Sequence, residues 1–336
     1  MKRFIWIDYA KSIGIYFVVL GHTHLYTPLS NVIYTWLMPV FFFISGYLFS
    51  FEKNTSLKTF AWKRFKSLLI PYLWINLITY LFWLFVGRKF GDDSNLNICW
   101  YSPLINTLLG NGKQMIHNIP TWFYICLYGL EMFYYIFFKH VKKRYIGLII
   151  LIIAGYLNYT FNPYVLPFSL NTALVGMIFY GFGYELKNRK YIFKSNIIYI
   201  IFSLLLIIVV AHFNGRINMY KNYYGNYPLF LVGAFSGIYL IAALSTLLSN
   251  IFKERKWITY VSKNTIIISG FHLLMFSFMK GFLVFVLHIP IAFLYEKILI
   301  NVLFAAVSLV LCLPVAYIIN RYVPFIIGKK KSPLRG

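Results

Sequence analysis

KSIGIYFVVLGH, residues 11–22, carries Lys11 and His22 eleven positions apart inside the first hydrophobic segment of the chain. Eleven residues are close to three α-helical turns, so both side chains fall on nearly one face, about 17 Å apart along the axis. An ionisable group inside a membrane segment is costly and marks a reaction or transport path. The spacing predicts Lys11 near one membrane face and His22 about two-thirds of the way across. That arrangement suits a machine working on both sides of a bilayer.

Around this stretch the chain is built for lipid. Of its 336 residues 60% are hydrophobic and only 12% charged, with a mean hydropathy of +0.70. Those values exclude an ordinary soluble domain. Apolar runs of about 18–25 residues recur, each long enough to cross a bilayer as a helix. Ten spans are expected, at 6–26, 31–50, 68–87, 121–138, 145–162, 170–186, 191–212, 227–249, 264–287 and 293–320. The predicted fold class is an all-α integral membrane protein with both termini cytoplasmic. The longest connection, 88–120, holds Asp92, Asp93 and Lys113 and is too short for a second domain. Residues 1–328 read as one transmembrane domain and 329–336 as a short basic cytoplasmic tail.

A net charge of +24 invites nucleic acid as a partner, but its distribution argues against that. With the amino terminus inside, 24 of the 32 basic residues fall on cytoplasmic segments, among them Lys139–Arg144, Lys187, Arg189, Lys190, Lys194, Lys331 and Arg335. The opposite side receives Arg88, Lys89, Lys113, Arg216 and Lys221. This is the positive-inside asymmetry. Met1-Lys2-Arg3 before an apolar run imitates a signal peptide. No small-residue cleavage site follows, and Asp8, Lys11 and His22 interrupt the run, so a retained first helix is expected. Cys99, Cys126 and Cys312 are odd in number and scattered, which indicates neither a disulfide framework nor a metal site.

WIDYAKSIGIYFVVLGH at 6–22 followed by MPVFFFISGYLF at 38–49 resembles the start of the membrane-bound acyltransferase family 3, in the branch named for fucose 4-O-acetylases. LLIPY at 68–72, TWFYICLYGLE at 121–131 and VSKNTIIISGFHLL at 261–274 extend the resemblance over nearly the whole chain. Most members carry Arg where this chain has Lys11, and relatives of the branch often have His before Met-Pro, where this chain has Leu37.

His22 is the leading catalytic candidate, because an imidazole with a pKa near working pH can take the proton of a hydroxyl attacking an acyl thioester. Its other reading is a His hydrogen-bonded between helices. His24, about 200° further round an unbroken helix, is expected at the interface. Lys11 either snorkels, pairs with Asp8 at i, i+3, or meets the phosphates or acyl carbonyl of an acyl-coenzyme A. Pro39 should kink the second helix, and Ser45-Gly46 permits close helix packing with a substrate-side role for Ser45. Glu131, an acidic residue near mid-span, must be protonated or paired; orienting a catalytic group or balancing Lys11 is one reading, and a purely structural ion pair is the equal alternative. The resemblance implies that Lys63, Arg64 and Lys66 bind coenzyme A phosphates and that His272 has a family counterpart, whereas a topology signal and a packing role are the plainer readings. Trp122 and Phe123 read as interfacial anchors.

The expected function is a multi-pass plasma-membrane O-acyltransferase. Acetyl-coenzyme A (or another acyl-coenzyme A) would be a co-substrate with no bound cofactor, and a cell-surface glycan or its lipid-linked precursor the acceptor. The chain carries no fused esterase-like domain, so it would finish the transfer itself or pass the acyl group to polysaccharide-assembly proteins. The rival class is a polytopic transporter or flippase, weakened because no second copy of the Lys-to-His segment appears. A catalytically dead scaffold is the third reading.

Overall fold

The structure, a computed structural model, describes residues 3–54, 56–91, 93–162, 164, 166–188 and 193–330. Asp92, Arg189, Lys190, Lys331 and Arg335 lie outside the described residues. Among those described, the chain is helical throughout, with one isolated bridge, Asn218 to Tyr223, and no β-strand. Lipid offers no partner to a bare peptide group, so an apolar chain of this kind satisfies its backbone within helices.

The principal helices are α1 (Ile5–Gly21), α2 (Thr27–Leu48), α3 (Leu57–Arg64), α4 (Ile70–Phe82), α5 (Ser102–Leu109), α6 (Trp122–Phe138), α7 (Arg144–Phe161), α8 (Leu170–Asn188), α9 (Ile197–Asn214), α10 (Tyr227–Phe252), α11 (Lys256–Lys263), α12 (Thr265–Gly281) and α13 (Ile298–Tyr322). Among the described residues seven helical runs are long and apolar enough to cross a membrane: α2, Leu57–Phe90, α7, α9, α10, Thr265–Val286 and α13. Helices α1 and α6 have 17 residues each. Every expected span overlaps a long helix, but several ends move. The first was expected to run to residue 26 and stops at Gly21. The third was expected from 68 and belongs to a 34-residue run from Leu57. That run passes through two π-helical turns, Phe65–Leu69 and Trp83–Gly87. Pro39 lies within α2 without ending it.

Helices α1 and α2 form the middle of the bundle. Helix α2 packs most extensively on α8 and also on α9 and α10, while α1 meets α10, α11, α12 and α13. The α2–α8 contact rests on two glycines. A Cβ on Gly46 would overlap the backbone carbonyl of Tyr180, and one on Gly183 would overlap that of Phe43. Helix backbones approach this closely only where small residues line the seam. At the rim, only 11% of the apolar window of α7 is buried, with Ile149 and Ile150 more than half exposed. Such a face is stable against lipid, not water.

Gly46→Ala should therefore cost about 1–3 kcal/mol through overpacking, since the obstructing atoms are backbone. Gly281→Ala, where an added Cβ meets nothing within 4 Å, should be neutral or slightly stabilising. Thermal unfolding of the two purified variants in detergent checks the contrast; equal melting temperatures would contradict it.

Candidate active site

Lys11 and His22 line one cavity of about 220 Å³. Its apolar wall includes Ile15, Val18, Met38 and Phe41, and its polar side chains include Ser45, Arg64, Ser67 and Ser269. Asp8, one turn before Lys11, forms its salt bridge with Arg3 at 2.7 Å and accepts a 2.7 Å bond from the Ser262 hydroxyl. These contacts tie α1 to α11, and Asp8 remains the charged neighbour of Lys11.

His22 follows the last residue of α1, so it sits at the helix end rather than within the helix. Its Nδ1 lies 2.7 Å from the Val18 carbonyl oxygen. A carbonyl only accepts, so Nδ1 carries the proton and Nε2 keeps its lone pair. The His272 ring on α12 stands 5.0 Å from the His22 ring, centroid to centroid, at 58°. His272 repeats the tautomer, with Nδ1 3.2 Å from the Ile268 carbonyl and a buried Nε2 that has no hydrogen-bond partner. Leu37 is buried and lines neither this cavity nor its neighbour. The imidazole beside His22 comes from α12.

His22 is also part of the wall of a second cavity, of about 250 Å³, with a different character. Here the lining includes His24, Thr79, Trp83, Asp93, His117 and Lys280. The Trp83 indole donates to Asp93 at 3.0 Å. Helical phasing had placed His24 away from His22, but that rotation does not apply beyond Gly21, where the chain turns and both residues reach the same space. His117, in the connection before α6, is pushed down to about 4 by burial. A buried polar network braces this end. Asn118 donates to Thr79 at 3.1 Å and to the Gly270 carbonyl at 2.9 Å, and Thr121 donates to Asn76 at 3.2 Å.

Glu131 does not balance Lys11. It grips Arg64 with both oxygens, Nε to Oε2 and Nη2 to Oε1, the latter at 2.8 Å. The carboxylate is only 3% exposed, while Arg64 itself reaches the first cavity. The π-helical turn that follows adds a residue to the helical turn, and Ser67 and Leu68 line the cavity with Arg64. Such turns occur frequently at functional sites. Lys63 is exposed and Lys66 lies 5.5 Å over the Trp62 ring; neither lines the cavity. Ser45 faces it while bonding the Phe41 carbonyl at 2.8 Å. Trp122 and Phe123, expected at the interface, are cavity residues instead, Trp122 being 5% exposed. Tyr124, not anticipated, bonds the Ile266 carbonyl at 2.7 Å and the Ser269 hydroxyl.

Residues 4–321 match the family model described as an acyltransferase domain. Comparison with curated proteins and with solved structures finds no match. The family match lends nothing to the transporter reading.

Removing one partner of a buried ion pair costs about 3–5 kcal/mol, because the other charge is left uncompensated. Glu131→Gln and Arg64→Met should each destabilise the protein on that scale. Arg64→Met with Glu131→Met should recover most of the loss. A double-mutant cycle of thermal unfolding reads this coupling; strictly additive losses would mean that the pair is not a unit.

Proposed function

The chain belongs to the acyltransferase family whose model spans residues 4–321, and from that membership we propose that it O-acetylates a sugar hydroxyl using acetyl-coenzyme A. The observation that carries the reading is the position of His22, a common wall of two cavities of unlike chemistry. The first cavity, apolar with the cations Lys11 and Arg64 at its edge, suits the arm of an acyl thioester. The second, with Asp93, His117, Thr79 and the Trp83 ring, suits a polyhydroxylated acceptor, which needs hydrogen-bonding groups and a flat apolar face.

In this scheme the acceptor hydroxyl donates to His22 Nε2, made available because Nδ1 is committed to the Val18 carbonyl. The acceptor oxygen attacks the thioester carbonyl as the imidazole takes its proton. The tetrahedral oxyanion collapses, the C–S bond breaks, and the imidazolium returns the proton to the departing thiolate. Lys11 and Arg64 supply positive charge on the donor side, while Lys63 and Lys66 offer phosphate contacts at the surface. Glu131 acts by holding Arg64, and His272 by packing against the base. The acceptor is a cell-surface glycan or its lipid-linked precursor. The chain crosses the plasma membrane ten times with both termini cytoplasmic, which the loop-by-loop excess of Lys and Arg supports.

His22→Ala should lower acetyl transfer by roughly 10²–10⁴-fold at unchanged membrane abundance, measured with labelled acetyl-coenzyme A and extracted glycan. Near-normal transfer would remove His22 as the base. Lys11→Ala should raise the apparent acetyl-coenzyme A constant about tenfold or more, the scale of one lost charge-assisted contact. Lys11→Arg should leave it nearly unchanged. Reporter fusions after Lys143 and near Lys113 should report inside and outside respectively; the reverse pattern would invert donor and acceptor sides.

A further inference from the structure

A third cavity, of about 140 Å³, lies apart from both His22 cavities and shares no lining residue with either. It is walled by the turns around 111–113 and 220–222 and by the facing ends of α7 and α8. Of its twelve lining residues eleven carry a hydroxyl, amide or ammonium group, Leu166 being the exception. In a chain that is 60% hydrophobic, so polar a hollow calls for an explanation.

Part of this polarity builds the wall. Asn171 donates to Asn158 at 3.0 Å and to the Tyr164 carbonyl at 3.2 Å, and Thr172 donates to the Met219 carbonyl at 2.7 Å. Asn222 is different. Its backbone is left-handed at φ 56° and its amide N–H is held by the Met219 carbonyl at 2.9 Å. Its side-chain Oδ1 is buried with no hydrogen-bond partner. A buried acceptor without a donor is costly, so Oδ1 favours a ligand that brings a donor to it. Lys113 and Lys221 stand exposed at the same cavity, where no lining residue carries a carboxylate. Tyr164 and Tyr220 add ring faces beside them.

We infer that this cavity binds an anionic oligosaccharide. Sugar hydroxyls supply the donor that Asn222 lacks, sugar ring faces stack on tyrosine, and a carboxylate or other acidic substituent meets the two ammonium groups. An inorganic anion uses only the lysines, and a neutral sugar leaves them idle. The cavity sits at the His22 end of the bundle. The Tyr34 hydroxyl bonds the Gly21 carbonyl at 2.5 Å, and Tyr34 has Arg216 and Tyr220 as electrostatic neighbours. Gly112, between Asn111 and Lys113, is packed so tightly that a Cβ there would come within 3.2 Å of Trp122, a residue of the first cavity. The site therefore holds a glycan chain beside the reaction centre without taking part in the chemistry.

The test is titration calorimetry on the full chain in detergent with trigalacturonate, maltotriose and sodium phosphate as probes. Trigalacturonate should bind, maltotriose at least tenfold more weakly, and phosphate should not displace trigalacturonate at equal concentration. Lys113→Ala with Lys221→Ala removes only exposed side chains and should weaken trigalacturonate about tenfold, two surface charge contacts. Asn222→Gly, which keeps the left-handed backbone, should weaken trigalacturonate and maltotriose alike. The reading rests on the proposed glycan acceptor, and acetyl transfer by the parent is measured in parallel, so that failure of the transfer and failure of this site are read separately. No binding by the parent, equal binding by the double lysine variant, or full displacement by phosphate overturns the proposal.

Discussion

Two opposite charges paired in an apolar bundle set the geometry of the cavity that Lys11 and His22 line. Arg64 and Glu131 lie on segments 67 positions apart, and each forbids the other from being left alone in a medium that does not solvate ions. Their bidentate contact fixes where the run from Leu57 docks on α6. That docking brings Arg64, Ser67 and Leu68 from one side and Trp122, Phe123 and Leu127 from the other to a single space. Lys11 and His22 complete it from the central helix. A shift of one turn along either segment would break both halves of the ion pair, so only one register is tolerated.

The opposite end is organised by neutral hydrogen bonds. Asn76, Thr79, Asn118 and Thr121 join the end of α4, the start of α6 and α12. Charge-free bonding of this sort holds a shape without a compensating ion. His22 and His272 share a tautomer, each Nδ1 set against the carbonyl one turn behind it. The imidazole at the junction is thereby held by its own helix and stays open at its second nitrogen.

Much of the architecture was legible in composition, because a lipid-facing chain must spend about 20 apolar residues per crossing. The long helices accordingly overlap the expected spans. What hydropathy cannot read is how helices end and how they turn. Mean hydropathy did not place the end of the first span at Gly21, and the stop there put His24 where helical phasing had denied it. The π-helical turn at 65–69 breaks the periodicity on which facing arguments rest, so Arg64 could not be separated from Lys63 and Lys66 by spacing. Lys11, His22, Ser45 and Arg64 do meet in one cavity, whereas the pairing of Glu131 and the proximity of His272 depend on contacts between distant segments. Trp122 was misplaced because an aromatic at a helix start has the same composition signal whether it faces headgroups or a cavity.

The position of one imidazole as the wall between two cavities has an energetic consequence. In the proposed reaction, with the thioester on one membrane face and the hydroxyl on the other, an acetyl unit, formally a cation, would pass outward at each turnover. The hydroxyl proton passes inward to the thiolate through the same nitrogen. The two movements cancel, so the cycle carries no net charge across the membrane. The voltage, which does work only on charge that is moved, then has no hold on the equilibrium. The driving force is the thioester bond alone, and the modification would proceed equally on an energised and a depolarised membrane.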